Sequence, residues 1–445
     1  MLKREVTATF AGNLGAAVVG LGTSILFARI LGREGQGLLA LAMFLPTIVA
    51  TFAPLGMDMV NATFGGLHKE ARRGLFLQSI LVALFGAAVA ALATGAYFFW
   101  LPIDRGEFAR LSPEIVWLAC LMTPLSVLSA TLSCLVRGVG RITTSAALQA
   151  VPPLATLALA GTLLLGLQGG LEAAMAASIG GQTVSVALSI WILRDYATLR
   201  PSDFSWSLLK RSLGFGWQIS LGTLASFLVY RINQGILGYM APADQIGLFV
   251  VAVGLAERLR LVPGSLGQAF LPRLANELAA RQGQVPAVFR YSLIISVASM
   301  AGIGVAGVPA ILLFYGWAYA GAVPPFLIML PGIAALGGAS VLASDLMTRK
   351  KPKYGLYLGY ILLAANFGLN LALIPVIGIN GAALASTASY LAALALWIVF
   401  YRHESKAPLA DLVPRWADCV YLWRAGWGMV ADMGRWLRRK PEQKG

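Results

Sequence analysis

From Val6 to Tyr401 the chain is a succession of apolar blocks, each near the roughly 20 residues a helix needs to cross a bilayer, separated by short polar connections. Few folds accept this pattern. Only 12% of residues are charged, about half the share of a soluble globular chain. Transmembrane barrels use short alternating strands, and these runs do not alternate. The expected fold class is therefore an all-α polytopic membrane protein. Twelve transmembrane helices are predicted, at about 6–30, 38–63, 75–101, 115–136, 145–167, 173–193, 214–240, 246–271, 287–315, 324–347, 354–377 and 379–401. The first block is too long for the core of a signal peptide and reads as a retained span. The last two leave room only for a tight hairpin at Gly378–Gly381.

A net charge of +15 would suit a nucleic-acid binder, but the cations sit at the ends of apolar blocks, so nucleic acid is rejected as a partner. With the N-terminus inside, the inner segments hold Lys3, Arg4, Lys69, Arg72, Arg73, Arg137, Arg141, Arg194, Arg200, Lys210, Arg211, Arg349, Lys350, Lys351, Lys353 and others. The outer segments hold only Arg29, Arg33, Arg105 and Arg110. This asymmetry places both termini in the cytoplasm.

The second half repeats the first. Gly37-Leu38 aligns with Gly247-Leu248 at an offset of 210; Arg137–Arg141 aligns with Arg349–Lys353 at 212; Gly169 and Ala173-Ala174 align with Gly378 and Ala382-Ala383 at 209. Six spans per half make the halves parallel, related by an axis along the membrane normal. The expected divisions are an N-lobe at 1–193, a cytoplasmic linker at 194–213, a C-lobe at 214–401 and a basic tail at 402–445. In the tail, Trp416, Val420, Trp423, Trp427 and Val430 share one helical face among arginines, the pattern of an amphipathic helix on the inner leaflet. Plain anchoring and docking of a partner are both open to it.

Nothing points to a cofactor. There is no phosphate loop, nucleophile elbow or zinc motif. Cys120, Cys134 and Cys419 have no metal or disulfide spacing, and His68 and His403 lie in separate loops. The informative residues are polar ones inside apolar spans, where a charge costs about 2.5–3.5 kcal/mol on insertion scales and so faces a partner or a wet cavity. Asn13 lies on a stripe with Thr9 and Ser24, and Asp58 on one with Thr47 and Thr51. Arg231 precedes Gln234 by three residues, Glu257 precedes Arg260 by three with Arg258 between, and Asn366 precedes Asn370 by four. Guanidinium forks suit phosphate oxygens, and amide and hydroxyl stripes suit sugar hydroxyls. The candidate substrate ligands are Arg29, Arg231, Gln234, Arg258, Arg260 and Asn13. Asp58 and Glu257 balance the arginines or bind a coupling cation. Interhelical hydrogen bonding and an internal ion-pair network are the structural alternatives.

The runs Ala28-Arg29-Ile-Leu-Gly32-Arg-Glu-Gly35-Gln-Gly37-Leu, Leu271-Pro272-Arg273 and Gly378-Ile-Asn380-Gly381-Ala-Ala-Leu-Ala385-Ser386 resemble those of the polysaccharide flippases of the multidrug/oligosaccharidyl-lipid/polysaccharide (MOP) exporter superfamily. The resemblance covers about 1–401. It implies two six-helix lobes in a V around a central cavity, and flipping of a polyprenyl-diphosphate-linked oligosaccharide by alternating access for surface polysaccharide synthesis. It also implies a bacterial inner membrane, with membrane lipids and other polysaccharide-assembly proteins as partners. A cation-coupled multidrug exporter would need a cavity rich in carboxylates. A membrane glycan polymerase or ligase would need a larger outer loop than 102–114.

Overall fold

The computed structural model describes residues 2–100, 105–166, 169–259, 285–349 and 353–424. Among these the regular structure is helical, with no strand. The helices are α1 (Leu2–Phe52), α2 (Met57–Leu67), α3 (Arg72–Gly95), α4 (Pro113–Gly138), α5 (Ile142–Leu148), α6 (Val151–Ala160), α7 (Leu171–Ile192), α8 (Trp206–Met240), α9 (Ala243–Leu259), α10 (Val285–Ala310), α11 (Val323–Thr348), α12 (Lys353–Ile377) and α13 (Ile379–Ser405). A short α14 follows at 416–424. Nine helical segments of the described residues are long and apolar enough to span a membrane.

The longest of them, Gly15–Leu67, makes two passages. Gly32 has φ 68° and ψ −176°, open to a residue without a Cβ, and breaks α1 into two arms. The arms run back to back: Gly12 lies against Ala146 and Gly65 against Gly138, at the two sides of one short turn. That turn lies at the far end of the bundle. Gly32, the 3₁₀ turns Gly106–Arg110 and Trp317–Ala322, and the Gly378 hairpin lie at the other, the Gly32 end. Gly378 has φ 59°, and Gly381 presses on the Leu373 carbonyl, which gives the tight reversal predicted there.

Two predicted spans are interrupted. The second breaks at 53–56, where Pro54 offers no N–H and Leu55 and Gly56 take φ of 47° and 77°. The fifth breaks between Leu148 and Val151, ahead of Pro152 and Pro153. The predicted linker 194–213 is also shorter: Ser205 caps α8 by accepting from the Leu208 N–H at 3.3 Å, so 206–213 are already helix. At 35 residues, α8 extends about 52 Å, well beyond a hydrocarbon core of about 30 Å.

Buried amides tie α8, α12 and α13 together. Asn233 donates to Ser386 and to the Ala382 carbonyl. Asn370 Nδ2 reaches Asn366 Oδ1 at 2.9 Å, and Asn366 Nδ2 reaches Ser389 Oγ at 3.1 Å. All three asparagines are almost completely buried. The i, i+4 pair read from sequence is thus interhelical glue. Asn366→Leu leaves Asn370 and Ser389 short of a partner, and should lower stability by about 1–3 kcal/mol. Thermal unfolding of the purified protein should show an earlier transition; an unchanged midpoint would refute this account of the cluster.

The residues after α13 do not trail away. Arg290, in the second turn of α10, grips Asp418 with two bonds, Nε–Oδ2 at 2.7 Å and Nη2–Oδ1 at 3.2 Å. Its Nη1 reaches the Asp411 carbonyl at 2.5 Å. Tyr421 stacks on Tyr291 with centroids 5.4 Å apart. Segment 406–424 is therefore a cap on the far end of α10. The sequence face Trp416, Val420 and Trp423 is not its docking face: Asp418 is, and the two indoles stay 83% and 68% exposed.

Candidate transport pathway and its gate

The two halves meet at the Gly32 end through equivalent positions. The offset of 210 relates Arg33 to Ala243 and Gly37 to Gly247. In the fold these residues touch each other: a Cβ on Gly37 would overlap the Ala243 carbonyl, and one on Gly247 would overlap the Arg33 carbonyl. A contact in which residue i meets j and j meets i marks a two-fold axis. Here the axis passes between α1 and α9.

The flanking contacts repeat the same operation. Ala28 and Gly238 are related by 210. The Ala28 carbonyl accepts from Tyr319 Oη at 2.9 Å, from the 3₁₀ turn of the second half. Gly238 packs on Phe108 and Gly106, from the 3₁₀ turn of the first half. Arg29 and Tyr239 are related likewise. Arg29 donates through Nε and Nη2 to the Phe314 and Leu313 carbonyls, both at 2.6 Å. Tyr239 Oη meets Tyr97 Oη at 2.6 Å. Both partners lie in π-helical turns, Ile311–Tyr315 and Ala96–Trp100, that close α10 and α3. The last carbonyls of a helix lack intrahelical donors and carry its negative dipole end, so a guanidinium is well placed there. Gln234 Nε2 adds a bond to the Ala40 carbonyl at 2.6 Å, Tyr315 Oη one to Ser24 at 3.2 Å, and Arg110 pairs with Glu34 across the loops.

Two expected substrate ligands, Arg29 and Gln234, are thus placed in this seal, with donors on carbonyls of the opposite half. The seam continues past it. Gly235 packs on Phe44, Ser220 Oγ donates to the Phe52 carbonyl at 3.2 Å, and Gly56 packs on Gly216 at the break in the second passage. The second passage and α8 are closed on each other along this line.

Behind the seal, toward the far end, lies Arg231, one helical turn from Gln234. Its Nη2 reaches Glu257 Oε2 at 2.9 Å, joining α8 to α9, and the side chains are 36% and 24% exposed. Glu257 therefore neutralises an arginine on the neighbouring helix. Thr47, the repeat equivalent of Glu257, is exposed on α1, and Thr51 is half-buried one turn on; their hydroxyls bond to the carbonyls four residues back. Asp58 is not part of this group. It is exposed in the first turn of α2, beyond the 53–56 break, and makes no ion pair among the described residues. Arg260 lies outside the described residues, as do the side chains of Asn13 and Arg258. Among the described residues no cluster of His, Cys, Asp or Glu could hold a metal ion.

The sequence alone did not single out Tyr97, Tyr239, Tyr315, Tyr319 or Asn233. The tyrosines could have been found at the ends of apolar blocks, where amphipathic rings with a hydrogen-bonding tip belong.

The sequence model of the polysaccharide biosynthesis protein family matches residues 2–276. The chain belongs to this family, and with it to the MOP superfamily. A putative O-antigen transporter of Shigella flexneri is 22% identical over 263 residues, covering 56% of the chain and 60% of that protein. Among solved structures, the lipid II flippase MurJ in an inward closed conformation superposes with a TM-score of 0.71 at 15% identity, covering 91% of the chain and 88% of MurJ. An inward-facing multidrug resistance MATE transporter gives a TM-score of 0.61 at 15% identity, covering 89% and 94%. The fold is that of these MOP transporters, and the helices of the described residues that are long and apolar enough to cross a membrane fit a multi-pass membrane protein; the chain spans about 60% of the length of the O-antigen transporter it matches.

Proposed function

We propose that this family member flips a polyprenyl-diphosphate-linked oligosaccharide across a bacterial inner membrane by alternating access, for surface polysaccharide synthesis. The observation that carries the reading is Arg231, a permanent cation at mid-span, one-third exposed and held by a single carboxylate from the next helix. A diphosphate offers the guanidinium more acceptor oxygens than Glu257 does, in the bidentate geometry a guanidinium favours. Arg258, Arg260 and Asn13 stay candidate ligands on the sequence pattern alone. When the seal parts, Arg29 and Gln234 lose their carbonyl acceptors and turn to the sugar hydroxyls at the Gly32 end. The lysine and arginine distribution supports a cytoplasmic far end, which turns the closed seal outward and makes the inner leaflet the loading side. The O-antigen transporter and the lipid II flippase among the comparisons support this substrate class. Other polysaccharide-assembly proteins are its natural neighbours.

A cation-coupled multidrug exporter would need spare carboxylates at mid-depth. Among the described residues Glu257 is the carboxylate there, and Arg231 already engages it.

Proteoliposomes with a fluorescent lipid-linked oligosaccharide test the proposal. Losing a charge-assisted bond worth about 1.5–3 kcal/mol, Arg231→Ala should flip roughly ten- to a hundredfold more slowly, with Arg231→Lys in between. Equal rates in all three would end the headgroup role of Arg231.

A further inference from the structure

The ion pair between Arg231 and Glu257 belongs to one half of the molecule only. The offset that relates Gly37 to Gly247 puts Leu21 in the place of Arg231 and Thr47 in the place of Glu257. The first half builds its corresponding helices without the pair, and Thr47 turns its hydroxyl to the Met43 carbonyl of its own helix. The duplicated scaffold therefore stands without these two charges.

The pair is also of a kind that can be exchanged. It is made by a single bond, Nη2 to Oε2 at 2.9 Å, where a guanidinium and a carboxylate can form two in parallel. Both side chains keep access to the passage, at 36% and 24% exposed. The Arg290–Asp418 pair of the same half is the contrast: it is bidentate, and 11% and 7% exposed. One pair is built to stay closed. The other leaves a face of the guanidinium open to a second anion.

We propose that Glu257 is a built-in competitor for the anionic headgroup: its carboxylate occupies the guanidinium of Arg231 in the sealed arrangement, the entering diphosphate displaces it, and its return to Arg231 releases the headgroup. The inference rests on the reading of Arg231 as the headgroup ligand and adds how that ligand lets go. A cation in a passage of low polarity would by itself hold a diphosphate long after it had crossed. The apparent affinity of a site is its intrinsic affinity reduced by the fraction of the site that is available. A carboxylate fixed on the neighbouring helix takes up much of that fraction, and it cannot diffuse away, so its local concentration stays high. Glu257 thus weakens binding without removing the ligand that recognises the phosphates.

Full-length protein in phosphatidylcholine nanodiscs is titrated with inorganic pyrophosphate in a calorimeter. Glu257→Gln keeps the length of the side chain and gives up its charge. It should bind pyrophosphate about tenfold more tightly than the parent, the difference between a charge-assisted and a neutral competing bond. Flipping of the lipid-linked oligosaccharide at saturating concentration should fall about as far, because tighter binding is mostly slower release. Glu257→Thr places the residue of the first half at this position, and should repeat both effects if the glutamine disturbs packing. With Arg231→Ala already present, Glu257→Gln should tighten binding by no more than about twofold, since the carboxylate then has no guanidinium to occupy. A pair that only holds α8 to α9 has the opposite signature. Pyrophosphate binding that stays level or weakens in both Glu257 variants would overturn the proposal, as would equal tightening with and without Arg231. Tighter binding with undiminished flipping would overturn the release step. Pyrophosphate binding that Arg231→Ala leaves unchanged would remove the headgroup role itself, a failure distinct from the others.

Discussion

Gly37→Leu should leave a folded, membrane-inserted protein that cannot close its Gly32 end. A Cβ at Gly37 would overlap the Ala243 carbonyl, so any side chain there meets backbone, which cannot rotate aside. Overpacking against ordinary neighbours costs about 1–3 kcal/mol, and about 1.4 kcal/mol is tenfold in an equilibrium. The closed arrangement should therefore lose between several-fold and more than a hundredfold in population. The readout is a cross-link between Ala28→Cys and Tyr319→Cys, whose parent residues share a hydrogen bond across the halves. It should form readily in the parent and fall away with Gly37→Leu, and oligosaccharide flipping should fall with it. Gly15→Leu is the control, since a Cβ at Gly15 meets nothing within 4 Å. A cross-link that survives Gly37→Leu would mean that the glycine contact does not set the seal.

Arg290→Met should release the cap. Arg290 and Asp418 are 11% and 7% exposed, so the methionine leaves a buried carboxylate without its countercharge, a change that costs about 3–5 kcal/mol. Limited trypsin digestion should then cut at Lys406 and Arg415 in the variant and spare them in the parent. Adding Asp418→Leu should restore much of the protection, because an apolar pair of similar volume can replace a buried ion pair. Equal digestion of parent and variant would refute the lock. The pH dependence has a definite sign. Burial by itself would push the Asp418 carboxyl up, but bonds from Arg290 and the Arg415 N–H outweigh it and hold it below the ordinary carboxylate range. Docking is thus fully supported above the unfolded value of about 4. It is lost as pH falls through the lowered value, so protection should persist at pH 5 and fail only in stronger acid.

The parts of this architecture that depend on local pattern were legible in the chain. Apolar blocks mark helices because each must satisfy its backbone internally, and the Gly378 hairpin follows from two blocks with no room between them. Asn366 and Asn370 were read as neighbours because i, i+4 is a fixed geometry. The breaks at 53–56 and at Pro152 were hidden by continuous hydropathy, which counts Pro and Gly as weak interruptions. The site was harder to read. Sequence spacing joined Arg231 to Gln234 and Glu257 to Arg260, yet in the fold Arg231 meets Glu257 across two helices and Gln234 meets Ala40. Those choices depend on how α8 and α9 roll against each other. Arg29 has the same character: its acceptors lie 284 and 285 residues away, at a helix end that hydropathy does not locate. The tail's tryptophan stripe was visible, but its mooring through Asp418 was not, since the matching arginine lies 128 residues upstream.

The reciprocal glycine contact carries a consequence for how such a chain can change over generations. In a pair of identical six-helix polypeptides, one glycine codon would furnish both faces of the closure, and one substitution would spoil or repair both together. Fusion into a single reading frame separates the two copies. Gly37 and Gly247 now mutate independently, yet each still fits against the backbone of the other's helix, so neither tolerates drift alone. The polar residues around them carry no such tie. That freedom is visible where the repeat sets an arginine at position 29 and a tyrosine at the equivalent position 239, and it lets the passage become lopsided without losing its closing point.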